Sequence, residues 1–465
     1  MFFLASNRLY DAMPVMVQNL GCTWAGYQRT RARFSNHFYK VLAEWRKTES
    51  LPREELQKIQ KQRLFRLIDL ARESVPYYRG LEAPVDLSDP SEAIAQTLAS
   101  VPVLDKDDYR SSFESIINPA VPVSRIRQSR TSGTTGSALR LAHSPEAIAE
   151  EYATVWRMRM SHGVNIRDAH LTFGGQLIVP FDTAGAPFWR YNYFNRQTLF
   201  SVHHMTPVNL VHYVDQIHRT RATYVWGYPS SLNLIARSIL ELGREVPRGK
   251  FKAVFTSSES LLAFQRDAIE EAFSAPVLDR YGTSEFAVSM TECLEGNLHV
   301  DMEYCIVEVE VDEETEEYER GGLIVTGLSN DVTPFLRYRI GDVGTRLKSP
   351  CPCGRAGDVF LDVDGRNEDY VVTPDGRLVG RLDHIFKDQS MILEAQILQD
   401  TPRAIDVKIV PAPGYSQADE EAMIREIRLR LGNEIHIDVH VVSNIPRERN
   451  GKFRAVKSHI GRVAA

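Results

Sequence analysis

The residues best equipped for chemistry begin at Arg130-Thr131-Ser132-Gly133-Thr134-Thr135-Gly136-Ser137. Two glycines flanking hydroxyl residues let backbone N–H groups converge on an anion, and Ser and Thr add further donors. No Gly-Lys-Ser/Thr follows, so the loop is not of the Walker A type. Glycine- and hydroxyl-rich loops are common on surfaces, and this one gains meaning from four further motifs downstream. Tyr281-Gly282-Thr283-Ser284-Glu285 ends in a carboxylate able to hold Mg²⁺ beside phosphates. Tyr338-Arg339-Ile340-Gly341-Asp342 offers a carboxylate that could accept both hydroxyls of a ribose. Gly365-Arg366-Asn367-Glu368-Asp369 and Asn450-Gly451-Lys452-Phe453-Arg454 complete the set, the latter presenting a lysine after a glycine turn.

A second constellation is built on sulfur. Cys293, His299 and the run Cys351-Pro352-Cys353-Gly354-Arg355 supply three thiols and one imidazole. That donor set suits a closed tetrahedral zinc and leaves no open position for catalysis. The long gap between His299 and Cys351 is unlike a compact zinc ribbon, so three unliganded cysteines and a turn histidine remain the competing reading. Cys305 falls in an alternating run and reads as core, and Cys22 carries no signal.

Taken singly, Asp342 could cap a turn, Arg366 could form a surface ion pair and Lys452 could be an ordinary exposed lysine. In this order, the five motifs resemble the adenylate-forming superfamily of acyl-CoA ligases. The resemblance is greatest to the branch of phenylacetate–coenzyme A ligases and their capsule-associated relatives, and it runs from about Arg63 to Arg454. It implies an ATP- and Mg²⁺-dependent enzyme that turns a carboxylic acid into an acyl-adenylate and then into a thioester of coenzyme A. The alternative acceptor is an amine, a sugar or a carrier-protein thiol, and a scaffold without catalysis is a third reading.

By the same resemblance, Ser132, Gly133, Thr134, Thr135 and Gly136 hold the β- and γ-phosphates. Ser284 contacts phosphate and Glu285 binds Mg²⁺. Tyr281, Ser258 and Glu259 line the adenine, and Asp342 and Arg366 hold the ribose. Lys452 bridges carboxylate and α-phosphate, offsetting the repulsion between two anions. Glu368 marks the hinge of a rotating C-terminal lid. Trp226, Gly227, Tyr228 and Phe286 line the acyl pocket, where a flat aromatic acid is the natural guest. The aromatic stretch Trp189–Phe194 with Phe200 could join them, or could pack a core or a subunit contact such as a homodimer. Zinc at Cys293, His299, Cys351 and Cys353 is implied as well.

Elements must position these groups. From about Val101 the sequence alternates short β-type runs (Ala169–Phe173, Tyr224–Trp226, Ala253–Thr256, Val277–Asp279) with helical patterns (Ser230–Leu242, Leu262–Phe273). This predicts α/β layers with functional loops at strand ends. From Leu298 the pattern predicts strands over Leu298–Val311 and Gly322–Gly327, with Asp312–Arg320 as an acidic turn. Strands over Asp406–Val410 and Ile435–Val442 with a helix over Gln417–Leu431 predict a small α+β end. The expected organisation is a large α/β domain over 1–364 with a β-rich subdomain, and a small mobile α+β lid over 365–465.

Residues 1–80 form a basic helical lead, with fourteen Lys or Arg against seven Asp or Glu. Over Leu51–Glu73 the residues Leu56, Ile59, Leu64, Leu67, Ile68 and Ala71 fall at helical spacing, predicting one or two amphipathic helices. The basic residues read either as a solvated face or as a docking surface for an anionic membrane or acidic partner.

The chain has 465 residues, 43% hydrophobic and 25% charged, enough for a large core and unlike a disordered or fibrous chain. A net charge of −6 argues against whole-surface nucleic-acid binding. Five cysteines are too few for a disulfide framework. No stretch reaches the roughly 18–20 apolar residues of a membrane span, and Arg8 and Asp11 interrupt the short apolar start. The expectation is a cytoplasmic protein without a transmembrane segment.

Overall fold

The computed structural model describes residues 8–130, 139–180, 182–206, 208–364, 370–374, 378–380, 382–386, 391–447 and 453–460. The chain forms two compact units, one from Met1–Ala25, Arg167–Val277 and Gly365–Ala465, the other from Gly26–Ile166 and Leu278–Asp364.

In the first unit, a six-stranded sheet has the order Trp189–Asn192, Gln197–Ser201, His170–Gly174, Tyr224–Gly227, Val254–Thr256, Val277–Leu278. His170–Gly174 pairs in parallel with both of its neighbours, and Tyr224–Gly227 with Val254–Thr256. Trp189–Asn192 pairs antiparallel with Gln197–Ser201. Central strands of such a sheet are covered on both faces, which is why Leu171, Phe173, Val225 and Val254 are buried. Helices Leu210–Arg219, Pro229–Glu241 and Ala263–Phe273 supply the covering residues, among them Tyr213, Leu232, Ile235 and Ile269.

The C-terminal part of this unit is α+β. His436–Val441, Ala404–Pro411, Ile392–Thr401 and Val456–Ser458 form a four-stranded sheet in that order. Helix Gln417–Leu431 buries Met423, Ile427 and Leu431 in the same core as Ile397, Ile405, Val407 and Ile409. The helix has the predicted bounds, because Asp419 accepts the Ser416 N–H at 2.9 Å and Gly432, at φ +88°, follows its last residue.

The second unit carries a seven-stranded antiparallel sheet, in the order Cys305–Glu314, Tyr318–Gly327, Tyr338–Leu347, Val359–Asp364, Leu298–Val300, Ser289–Glu292, Arg280–Gly282. The strand predicted over Leu298–Val311 is broken into two. Asp301 N–H still bonds Ser289 O at 3.0 Å, its carboxylate meets the buried Arg157 at 2.6 Å and the Ser289 hydroxyl at 2.6 Å, and Tyr304 N–H closes the turn onto Asp301 O. The acidic turn predicted over Asp312–Arg320 is largely strand, with only residues 315–317 turning. Cross-strand neutralisation allows this: Glu313 lies opposite Arg320, and Lys348 reaches Glu314 at 2.7 Å.

Arg53–Ser74 is a single helix. Its buried face takes Gln60 rather than Ile59, because the Gln60 amide donates to Cys305 O at 2.8 Å. Among the described residues, no helix is long and apolar enough to cross a membrane.

Candidate functional site

In the first unit, the carboxyl ends of the parallel strands bring together Gly227-Tyr228 and Thr256–Glu259. Strand order reverses beside His170–Gly174, the position where open α/β sheets leave a crevice for ligands. Gly227 has no room for a side chain: a Cβ there would lie 2.8 Å from Phe173 Cβ and 3.1 Å from Leu232 Cγ. Its absence lets Tyr228 N–H bond Phe173 O at 3.0 Å as the chain turns into helix Pro229–Glu241. Tyr228 is buried and Trp226 half-buried, their rings edge to face.

Ser258 is exposed and holds a left-handed backbone (φ +76°), a strained choice for a residue with a Cβ. Beside it, both carboxylate oxygens of Glu259 are engaged, Oε2 by Ser230 N–H and Oε1 by Phe453 N–H. Close by in charge, the buried Glu394 pairs with Arg447. Burial raises the Glu394 carboxyl, Arg447 opposes that shift and Glu259 adds to it. Arg447 also lies over the Phe453 ring at 4.8 Å.

In the second unit, the turn after Arg280–Gly282 carries Ser284, exposed, and Glu285, only 1% exposed. Arg280 is locked beneath this turn by Glu151 at 2.7 Å and Ser289 at 3.0 Å. A Cβ on Gly282 would meet that guanidinium at 2.5 Å, so a side chain here would have to displace Arg280. Tyr281 donates its hydroxyl proton to Asp342 Oδ2, joining two predicted site residues. Glu285 Oε2 and Thr283 Oγ1 are buried without hydrogen-bond partners among the described residues. A buried carboxylate oxygen left open in this way fits a site for a hard cation.

Phe286 adopts a left-handed backbone (φ +55°) and stacks on His143 at 4.5 Å, while Tyr304 OH holds its carbonyl at 2.7 Å. His143 had no signal in the sequence beyond its place on the strand Arg140–His143, which follows the glycine- and threonine-rich run. Burial holds its imidazole down at about 4, so the ring is neutral at pH 7.

Cys293, His299, Cys351 and Cys353 converge, their ligand atoms all within 4.8 Å of one another. Cys293 Sγ lies 3.7 Å from Cys351 Sγ, close to the about 3.8 Å edge of a tetrahedron with Zn–S bonds of about 2.3 Å. Cys353 Sγ lies 3.3 Å from His299 Nε2. Asn297 Nδ2 and Arg355 N–H point at Cys351 and Cys353, the outer support that thiolate ligands need. Burial, and then Arg355, holds His299 down at about 4, in the neutral form a ligand requires. The donor set fits zinc.

Ser132, Gly133, Thr134, Thr135, Gly136, Arg366, Glu368 and Lys452 lie outside the described residues.

Residues 371–459 match the family described as the CapK C-terminal domain. Protein CapK of Staphylococcus aureus is 27% identical over 463 residues, covering 98% of this chain and 99% of that protein. Phenylacetate-coenzyme A ligase of Thermus thermophilus is 23% identical over 444 residues, covering 88% and 97%. The fold is shared with 2-hydroxyisobutyryl-CoA ligase in its postadenylation state, at a TM-score of 0.65 and 21% identity over 88% of this chain and 91% of the other. Motif order, fold and full-length relatives together support the resemblance to the adenylate-forming superfamily. Within it, the similarity is to the branch that holds the phenylacetate–coenzyme A ligases and the capsule-associated CapK proteins.

Proposed function

We propose that the chain uses ATP and Mg²⁺ to convert a carboxylic acid into an acyl-adenylate, releasing pyrophosphate, and then passes the acyl group to coenzyme A. The observation that carries this reading is the open carboxylate oxygen of the buried Glu285, on the same turn as Ser284 and shortly after Tyr281, which bonds Asp342. A carboxylate attacking an α-phosphate meets like charge, and Mg²⁺ at Glu285 would neutralise the phosphates.

In this reading the loop from Ser132 to Gly136 cradles the β- and γ-phosphates. Asp342 and Arg366 take the ribose, Tyr281 and Ser258 the adenine edge, and Lys452 the reacting carboxylate. Trp226, Gly227, Tyr228 and Phe286 favour a flat, aromatic acid. The segment over 365–465 acts as a lid turning at Glu368 between the two half-reactions. Zinc at Cys293, His299, Cys351 and Cys353 has a structural role, since four protein ligands leave it no open position.

The test is acid-dependent exchange of pyrophosphate into ATP across a panel of aryl and alkyl acids, followed by coenzyme A consumption with the best acid. Exchange with an aromatic acid and thioester formation support the proposal. No exchange with any acid defeats it; exchange without coenzyme A use moves the acceptor to an amine, sugar or carrier thiol.

A further inference from the structure

Helix Val15–Arg33 is inside out. Its polar residues Gln18 and Asn19 are buried, at 2% and 7% exposure, while Met16, Leu20 and Trp24 are 74%, 54% and 61% exposed. The inward face is held by hydrogen bonds as well as by Cys22, which packs with Ile178, Val179 and Leu199. Arg190 Nε donates to Gln18 Oε1 at 2.5 Å, Gln18 Nε2 donates to Tyr10 O at 3.1 Å, and Tyr191 N–H donates to Asn19 Oδ1 at 2.9 Å. A further bond, from Tyr193 N–H to Thr23 Oγ1 at 3.1 Å, brings up the hairpin tip, where Tyr193 and Phe194 are 59% and 50% exposed. Exposed apolar residues scattered singly mean little, but a stripe on one helix face backed by two exposed aromatics marks a surface that something covers.

The stripe has a direction. Met16, Leu20, Trp24, Tyr27 and Arg31 follow one another at steps of three or four residues, so they share one helix face. It begins apolar, passes through two aromatics of the kind that favour a membrane–water boundary, and ends in an exposed arginine beside the Tyr27 hydroxyl. No Asp or Glu occurs between Asp11 and Glu44, whereas Arg29, Arg31, Arg33 and Lys40 do. A second copy seated on this face would bring Arg31 against a stretch without a single acid. An anionic lipid surface offers both a bed for the apolar residues and a counter-charge for the arginine.

We propose that this helix face, with Tyr193 and Phe194, seats the protein on the surface of an anionic membrane. Binding is peripheral: the apolar side chains enter the headgroup boundary and Arg31 pairs with lipid phosphate. This goes beyond the proposed reaction and does not depend on it.

Co-sedimentation with vesicles tests it, using phosphatidylcholine alone and phosphatidylcholine mixed with phosphatidylglycerol. The full chain is expected to sediment with the anionic vesicles and to be released by high salt. The double variant L20S/W24S is expected to bind at least about tenfold more weakly, and R31E more weakly than wild type. All three substitutions fall on exposed side chains, so unchanged melting temperatures are the control. Wild-type protein left in the supernatant, or equal binding by L20S/W24S, overturns the proposal. So does a dimer, seen by analytical ultracentrifugation, that L20S/W24S dissolves without any vesicle binding. Vesicle binding gained only on removal of residues 1–7 overturns it too, assigning the face to the chain's own first residues.

Discussion

Glu259 holds the backbone of Phe453, 194 residues away in the chain, by accepting its N–H at 2.6 Å. Its other oxygen accepts the N–H of Ser230, in the first turn of helix Pro229–Glu241. The amide it grips is the one that links Lys452 to Phe453. Glu259→Ala is therefore expected to lower kcat for acid-dependent pyrophosphate exchange by about tenfold or more, the worth of a charge-assisted hydrogen bond, with KM for ATP within about twofold. Glu259→Gln keeps an acceptor and should fall between. A change confined to KM for ATP would instead assign the side chain to the adenine site, and an unchanged kcat would remove it from both.

Glu285 supplies a second expectation. With its carboxylate open and buried, Glu285→Gln should cut exchange at least about a hundredfold, as removal of a group stabilising transition-state charge does. Part of the loss should return at high Mg²⁺. Activity within a few-fold of wild type at low Mg²⁺ would show that the cation is held elsewhere.

Metal analysis of the purified chain should find a single zinc, held by the cluster of Cys293, His299, Cys351 and Cys353. Cys351→Ser should lose that zinc and lower the melting temperature by at least about 5 °C, since each kcal/mol moves a unit of this size by roughly 2–4 °C. Full zinc retention in the variant would exclude the cluster as the ligand set.

Acid should destabilise the chain through His143. Burial depresses its pKa from 6.5 to about 4 in the folded state, so between those values the unfolded chain binds a proton that the folded chain does not. Stability therefore falls as pH drops through this window, by up to about 3 kcal/mol, and is unaffected above it. Urea titrations from pH 7 to pH 4 should show a shallower fall for His143→Gln. Parallel pH profiles for the two proteins would sink the assignment.

Much of the fold could be read in advance, because short apolar runs between helical patterns leave few alternatives to parallel layers. Helix Gln417–Leu431 was legible to the residue, since Ser416, Asp419 and Gly432 mark both ends. What was not legible depended on distant partners. Gln60 looks like an interruption of an apolar face until Cys305 O appears opposite it. Asp301 breaks a strand because Arg157, 144 residues earlier, needs it. At the site, Tyr281 and Asp342 each belong to a recognisable motif, and only the fold reveals their hydrogen bond. His143 belongs to no motif. Its role as a stacking partner for Phe286 comes from topology alone.

The seven-stranded sheet has one thin seam. Leu298–Val300 meets Val359–Asp364 over only two residue pairs, Leu298 with Phe360 and His299 with Val359. On one side of that seam lie the strands leading to Tyr281 and Glu285, and on the other the strand bearing Asp342. The sulfur cluster draws Cys293 and His299 from the first side and Cys351 and Cys353 from the second. Holding zinc, it would work as a rivet across the narrowest join. A reagent that strips metal or alkylates these thiols would thus act as a remote inhibitor, parting Tyr281 from Asp342 without ever approaching either.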